Sequence, residues 1–154
     1  MKLLYFHAKD LQMKVGLKHP PTKQRKIENY LRRKLGDNLP TLNDSNRLTE
    51  SRNALLVFVC AEKGDEAIDL TPVTEDIIRA RALLGVVDIV IGAFGHLSNQ
   101  IAEPALARQI IDNLAFQVRS IHPSTKQFPF GWDKSIDLHI PCHHFNTSFK
   151  SYPV

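Results

Sequence analysis

Two hydrophobic rhythms alternate along the chain: short unbroken apolar runs, and longer stretches in which apolar residues return every three or four positions. The run Leu3-Leu4-Tyr5-Phe6 within Lys2–His7 predicts a first strand covered on both faces. A second extended piece is expected from Leu11 to Leu17, ended by Pro20-Pro21. Thr22 then suits the cap of a helix running to about Leu35, with Ile27, Tyr30, Leu31 and Leu35 on one face, Lys and Arg on the other, and Gly36 as its stop. Residues 37–53, rich in Asn, Asp and Ser with Pro40, carry little periodicity and read as a long mobile loop.

The middle of the chain reads as a βαβ unit. Ala54–Ala61 is an almost wholly apolar strand, and Gly64-Asp65 turns the chain. A helix begins near Thr71-Pro72, with Thr71 as cap and Pro72 where an amide needs no partner. Val73, Ile77, Ala80 and Leu84 form its buried stripe, Gly85 closes it, and Val86–Ile91 is the next buried strand. Strand, helix and strand in this order imply a partly parallel sheet with a right-handed crossover. After a turn at Gly92–Ser98, a helix from near Pro104 carries Leu106, Ile110, Leu114 and Val118 at helical spacing, with His122-Pro123 beyond its end. Gln127–Phe130 and Ser135–Ile140 are expected to pair around Gly131, with Ile136, Leu138 and Ile140 inward and Asp137 and His139 outward. The pattern therefore predicts a single mixed α/β domain over residues 1–154, with a βαβ unit and flanking helices. A basic helix and loop are inserted at about 18–53.

Composition narrows this picture. A chain of 154 residues with 43% hydrophobic and 23% charged residues supports one core. No apolar run approaches the roughly 20 residues of a membrane span, and the start from Met1 to His7 is too short and polar-interrupted for a secretion signal. Cys60 and Cys142 make no disulfide framework, so a reducing cytoplasm is the expected location. Charge is unevenly spread. Lys14, Lys18, Lys23, Arg25, Lys26, Arg32, Arg33 and Lys34 face the single acid Glu28, a net +7 that leaves −3 for the rest of a chain whose total is +4. Such a block is a footprint for a phosphate backbone, or else an ordinary solvated helix face.

Two stretches carry candidate chemistry. His96 sits where a parallel strand is expected to end, the place where open α/β sheets bind ligands, and Gly92 and Gly95 allow close backbone approach. Its bland alternative is a histidine that only ties the loop together. Lys134 follows the corner Pro129-Phe130-Gly131-Trp132-Asp133, where partial cover would lower its pKa and fit it to hold a carbonyl oxygen, an anion or a water. A surface lysine at a strand start is the alternative there. One loop and one corner can converge on a single pocket for a small acyl group. His139, Cys142, His143 and His144 gather nitrogen and sulfur, but neighbouring strand residues point to opposite faces, and no metal is expected. Cys142 as a nucleophile needs a base and a low pKa that nothing in the sequence supplies. No Gly-x-Ser-x-Gly elbow, Walker loop or dinucleotide fingerprint occurs.

His7 at a strand end, the turn Phe94-Gly95-His96-Leu97-Ser98, the helix start Glu103-Pro104-Ala105 and the corner Pro129–Lys134 together resemble the archaeal threonyl-tRNA synthetase editing domain, a relative of D-aminoacyl-tRNA deacylases. In that family the turn reads Pro-Phe-Ala-His-Leu-Ser-Ser, the helix start Lys-Pro-Ser and the corner Pro-Phe-Gly-Tyr-Tyr-Lys, followed by a strand ending in a cysteine, here Cys142. The resemblance covers residue 1 to about 17 and about 54 to 145. Asp133 stands where the family has a tyrosine beside its lysine, and Cys142-His143-His144 stands where it has Cys-Lys-Gly-His-Pro.

The resemblance implies a compact, barrel-like sheet of the D-aminoacyl-tRNA deacylase type, a homodimer, and hydrolysis of the ester that joins a wrong amino acid to tRNA. L-seryl-tRNA(Thr) is the expected substrate, acted on in trans by a free-standing domain, with a separate threonyl-tRNA synthetase as a possible partner and no cofactor. Lys134 and His96 would be the catalytic residues. His7, Ala93, Phe94, Gly95, Trp132, Asp133 and Cys142 would bind the substrate, and Lys23, Arg25, Lys26, Arg32, Arg33 and Lys34 the RNA. A D-aminoacyl-tRNA deacylase, or an inactive tRNA- or nucleoside-binding module of the same fold, are the alternatives.

Overall fold

The apolar run at the start of the chain does not stop at His7. In the computed structural model, which describes residues 1–16 and 21–153, strand β1 spans Lys2–Val15 without a break. Leu3 and Tyr5 belong to one buried cluster, whereas Ala8, Leu11 and Met13 belong to the other. The alternation therefore slips by one residue between Ala8 and Leu11, near Asn53 of the neighbouring strand, whose φ of 52° is left-handed. That slip is why a period of two sees two strands instead of one. Leu17, Lys18 and Pro20, parts of the expected second strand and basic block, lie outside the described residues.

Strand β2, Leu48–Cys60, runs antiparallel to β1 from Lys14↔Leu48 to Lys2↔Cys60. The last third of the expected loop at 37–53 is thus strand. Thr49 and Ser51 are the buried positions there, while Leu48, Glu50 and Arg52 are exposed, so the pattern carries no apolar alternation to betray it. Strand β3, Asp88–Ala93, lies parallel to β2, and the short β4, Lys126–Gln127, lies parallel to β3. Strand β5, Lys134–His139, and strand β6, Thr147–Ser151, both pair antiparallel with β1, one with each half of it.

The sheet order is β4-β3-β2-β1-β5, with β6 also on β1. β4 and β5 therefore stand at opposite ends, which corrects the expected pairing around Gly131. The segment between them is an arch, because Phe128 is buried in the cluster on one sheet face and Trp132 in a separate cluster beyond the sheet. Among the described residues β4 and β5 share no pairing, so the sheet is open, mixed parallel and antiparallel, and the barrel-like closure is not seen in it.

Three helices flank the sheet among the described residues: α1 (Pro21–Leu35), α2 (Leu70–Leu84) and α3 (Pro104–Ile121). The cap of α2 is Asp69, whose carboxylate accepts from the Thr71 amide at 2.9 Å, so Thr71 lies inside the helix. Gly85 ends it with a left-handed φ of 63°. Val73 and Ile77 of α2, with Ile110, Ile111, Leu114 and Val118 of α3, close over Leu55, Val57, Val59, Ile89 and Ile91 of the sheet. Burial of each such side chain stabilises the fold by ~1.5–3 kcal/mol, so this layer holds the molecule together. α1 has a thinner attachment, a small cluster of Leu31, Leu39 and Trp132 bordered by Ile27, Leu35, Leu42 and Val15.

Candidate active site

β2 and β3 end side by side, with Val59 opposite Ala93. Just beyond, the chain leaves β3 through Phe94 into a tight turn at Gly95–Leu97. The turn is tied to the end of β2. The Phe94 amide donates to Val59 O at 2.9 Å, the Cys60 thiol to Gly95 O at 3.7 Å, and the Ala102 amide to Ala61 O at 2.9 Å. Glu62 adds a charged brace by accepting from the Ser98 hydroxyl and pairing with Lys2 Nζ at 3.0 Å and the α-ammonium of Met1 at 3.3 Å. Partial burial works against the Glu62 carboxylate, but these donors outweigh it and hold its pKa down at about 2. His96 occupies the middle of the turn, exposed, with its ring edge against Phe94 at 5.3 Å between centroids.

The corner Phe130–Lys134 faces the turn across one cavity of about 690 Å³, within the range of about 300–1,000 Å³ usual for ligand pockets. Val59–Ala61, Ala93–His96, the start of α3 at Glu103-Pro104 and the whole corner line it, and α1 supplies a further wall through Tyr30, Leu31, Lys34 and Leu35. His96 and Lys134, 38 positions apart in the chain, thus line a single cavity.

The corner owes its shape to two anchors. Gly131 has a left-handed φ of 77°, which favours glycine, and a Cβ there would lie 2.4 Å from Leu35 Cδ1 of α1, so a larger residue would strain the backbone and displace that side chain. The Trp132 indole donates to Pro40 O at 2.8 Å, and the guanidinium of Arg32, itself paired with Glu28 at 2.9 Å, lies 5.9 Å from its ring centre. The Trp132 carbonyl, held in place, accepts from Lys134 Nζ at 2.7 Å. Burial pushes the Lys134 amine down to about 8, partly opposed by the charge of Asp133. An amine of this kind holds a useful neutral fraction near neutral pH and can take a proton from a bound water.

Ala93, Phe94, Gly95, Trp132 and Asp133 join Lys134 and His96 at the cavity. His7 and Cys142 do not line it. The edge of β1 away from β2 carries the 140–146 segment, so the His7 ring bonds to His143 Nε2 at 2.6 Å and Asn53 Oδ1 at 2.9 Å, and Cys142 is exposed nearby in sequence. Gly92 does not serve ligand approach either, because a Cβ there would meet Phe128 Cδ2 at 2.6 Å; its bareness admits that ring. Cys60 and Tyr30, absent from the sequence expectations for the site, both border the cavity. The Cys60 thiol is pushed up in pKa by burial and by Glu62, which fits a structural hydrogen bond and not a nucleophile. Lys23, Arg25, Lys26, Arg32, Arg33 and Lys34 are all exposed on α1, and of these Lys34 reaches the cavity. No described helix is long and apolar enough to cross a membrane.

The sequence matches, over residues 1–152, the family described as the archaea-specific editing domain of threonyl-tRNA synthetase. The threonine–tRNA ligase of Pyrobaculum neutrophilum is 35% identical over 104 residues, which are 64% of this chain and 17% of that ligase. The ligase of Thermofilum pendens is 30% identical over 102 residues, 65% of this chain and 17% of the ligase. That of Methanosphaera stadtmanae is 26% identical over 105 residues, 66% and 17% respectively. The aligned part is thus about 17% of each of these relatives. In solved structures, the fold is shared with the c-Myc DNA Unwinding Element Binding Protein, with a TM-score of 0.67 at 11% identity over 100% of both chains.

Proposed function

This chain belongs to the archaea-specific editing-domain family of threonyl-tRNA synthetase, and from that premise we propose that it is an aminoacyl-tRNA deacylase. Its substrate in this reading is L-seryl-tRNA(Thr), cleaved in trans in the cytoplasm by a homodimer that serves a separate threonyl-tRNA synthetase. The observation that carries the reading is the Lys134 amine, lowered to about 8 and opening on the cavity that the His96 turn also lines.

The chemistry asked of the site is modest. An aminoacyl ester is already activated, so positioning a water against its carbonyl supplies much of what is needed. Burial at Lys134 disfavours the cation, which supports the amine as proton acceptor. Water adds to the ester carbonyl, its proton passes to Lys134 Nζ, and the ribose oxygen leaves with a proton to regenerate tRNA and free serine. His96 faces the same space and fixes the acyl end. The backbone around Phe94 and Gly95 is the expected holder of the terminal adenosine, and Trp132 and Asp133 close the other side. No cofactor enters this scheme. Discrimination of serine from threonine rests on one methyl, and steric rejection of the larger acyl group suits a second sieve. The exposed cations of α1 supply phosphate contacts for the tRNA body.

Asp133 in place of the family's tyrosine favours a second reading, a module of the same fold that binds the tRNA end without cleaving it. A third is a deacylase for D-aminoacyl-tRNA. Incubation with L-seryl-tRNA(Thr), L-threonyl-tRNA(Thr) and a D-aminoacyl-tRNA separates them. Release of L-serine alone supports the proposal, release of the D-amino acid transfers the activity to the related class, and no release from any of the three refutes an enzyme.

A further inference from the structure

Tyr30 is expected, from its helical spacing, to lie in the buried stripe of α1, but it is 56% exposed. The seam of that helix is made without it by Ile27, Leu31 and Leu35. Its ring instead borders the cavity that holds His96 and Lys134. One turn further on, the Lys34 ammonium lies 6.0 Å from the centre of the Tyr30 ring and lines the same cavity. An exposed aromatic ring with a flexible cation over it, at the wall of a pocket, is an arrangement that can receive an unpaired base and its phosphate: the ring stacks on the base as the amine turns to the phosphodiester.

Resting on the deacylase reading above, we propose that Tyr30 and Lys34 form the binding site for the nucleotide that precedes the terminal adenosine of the tRNA 3′ tail. Tyr30 stacks on its base and Lys34 pairs with the phosphate joining it to the adenosine. The ester must reach Lys134 deep in the corner, so the strand that carries it has to leave past another wall. α1 is such a wall, and it is the one that bears exposed cations. Stacking is indifferent to which base is present, because every base offers a π face. The platform therefore selects a single-stranded tail over a lone nucleoside and leaves acyl selection to the far end of the cavity. The inserted helix would in this way convert a pocket for an aminoacyl nucleoside into a site for the end of a polynucleotide.

The test compares L-seryl-tRNA(Thr) with 3′-O-seryl-adenosine, which has no preceding nucleotide, in the wild-type protein, Tyr30→Ala, Tyr30→Phe and Lys34→Gln. The readout is the ratio of kcat/KM for the two substrates. Tyr30→Ala is expected to lower that ratio about tenfold, as loss of one base stack does, and to act through KM; Tyr30→Phe restores it. Lys34→Gln lowers the ratio and flattens its dependence on salt. An unchanged ratio in Tyr30→Ala, or an equal fall for both substrates, overturns the platform while the deacylase reading stands. If the wild-type protein cleaves neither substrate, the deacylase reading fails instead. The platform is then judged by quenching of a CCA trinucleotide carrying 2-aminopurine at its middle position: quenching lost in Tyr30→Ala retains it as a bare tail-binding site, and quenching independent of Tyr30 removes it.

Discussion

Replacing Lys134 by methionine should abolish hydrolysis and at the same time make the fold more stable at neutral pH. The side chain keeps its length and apolar stem and loses only the amine. In the unfolded chain a lysine holds its proton up to a pKa of about 10.4, whereas in the folded protein burial brings the amine down to about 8, with Asp133 pulling the other way. The folded pKa lies below the unfolded one, so between these values the unfolded chain binds more protons, and stability rises with pH through that window. Below pH 8 the cost of the buried ammonium is present in full. The drop from 10.5 to about 8 corresponds to about 3 kcal/mol. Methionine removes that cost and forfeits the hydrogen bond to Trp132 O at 2.7 Å, a loss of about 1 kcal/mol. The variant should therefore be about 2 kcal/mol more stable at pH 7. That advantage should shrink as pH rises beyond 8 and change sign before about pH 10.4, where the falling cost of the buried ammonium drops below the about 1 kcal/mol of the hydrogen bond. Urea unfolding of the two proteins at pH 7, 9 and 10.5 reads the difference directly. A variant that is less stable at pH 7, or a gap that does not move with pH, would refute a desolvated amine at the corner, and full activity in the variant would remove Lys134 from the chemistry.

Asp133→Asn takes away the charge that raises the Lys134 pKa, so the ascending limb of kcat/KM against pH should move below about 8; an unmoved limb would show that Asp133 does not act on the amine. Gly131→Ala forces a non-glycine residue into φ 77° against Leu35 and should cost about 1–3 kcal/mol in thermal or urea unfolding, with α1 loosened at the cavity wall; a loss below that range would mean the helix is not seated on this glycine. Neutralising Arg33 and Lys26 together should lower the slope of log affinity for tRNA against log salt by about two, one for each phosphate contact. A slope equal to wild type places the RNA elsewhere.

The fold was legible wherever packing is one-sided or complete. The parallel pair of Ala54–Val59 with Asp88–Ala93 follows from one unbroken apolar run and a second interrupted by Asp88, joined by one helix. The second strand starts two residues later than the expected Val86, and Ala54–Val57 and Ile89–Ile91 are among the most buried residues in the protein. The parts that escaped were those where burial does not track hydrophobicity. Thr49 and Ser51 fill buried positions in β2, so the strand's beginning looked like a loop. β6 has only Phe149 as an apolar residue, and it is exposed, because pairing to β1 and not burial places that strand. The arch at Gly131 looked like a hairpin because strand–glycine–strand is the local signature of one. What sends its two arms to opposite ends of the sheet is the separate anchoring of Phe128 and Trp132, which is not a local property.

The same logic explains why half of the site could be read and half could not. His96 and Lys134 announce themselves by residue type at a turn and a corner. The surroundings that give them meaning come from the end of α1 and the residues after it, which the sequence offers only as a basic helix and a loop. Leu35 and Leu39 cover Gly131, Pro40 O holds the Trp132 indole, and the Trp132 carbonyl in turn holds the Lys134 amine. Each link is a direct contact, and each comes from residues 35–40 or from the corner itself. The corner that holds the Lys134 amine is thus anchored in part by residues 35–40, which links the wall bearing the exposed cations to the group proposed to accept the proton. A tRNA end that settles against α1 would press on the same contacts that position the amine, so binding and chemistry share one mechanical unit. Loosening α1 should accordingly alter the pH dependence of hydrolysis as well as substrate affinity, an effect that an independent, merely adhesive helix would not produce.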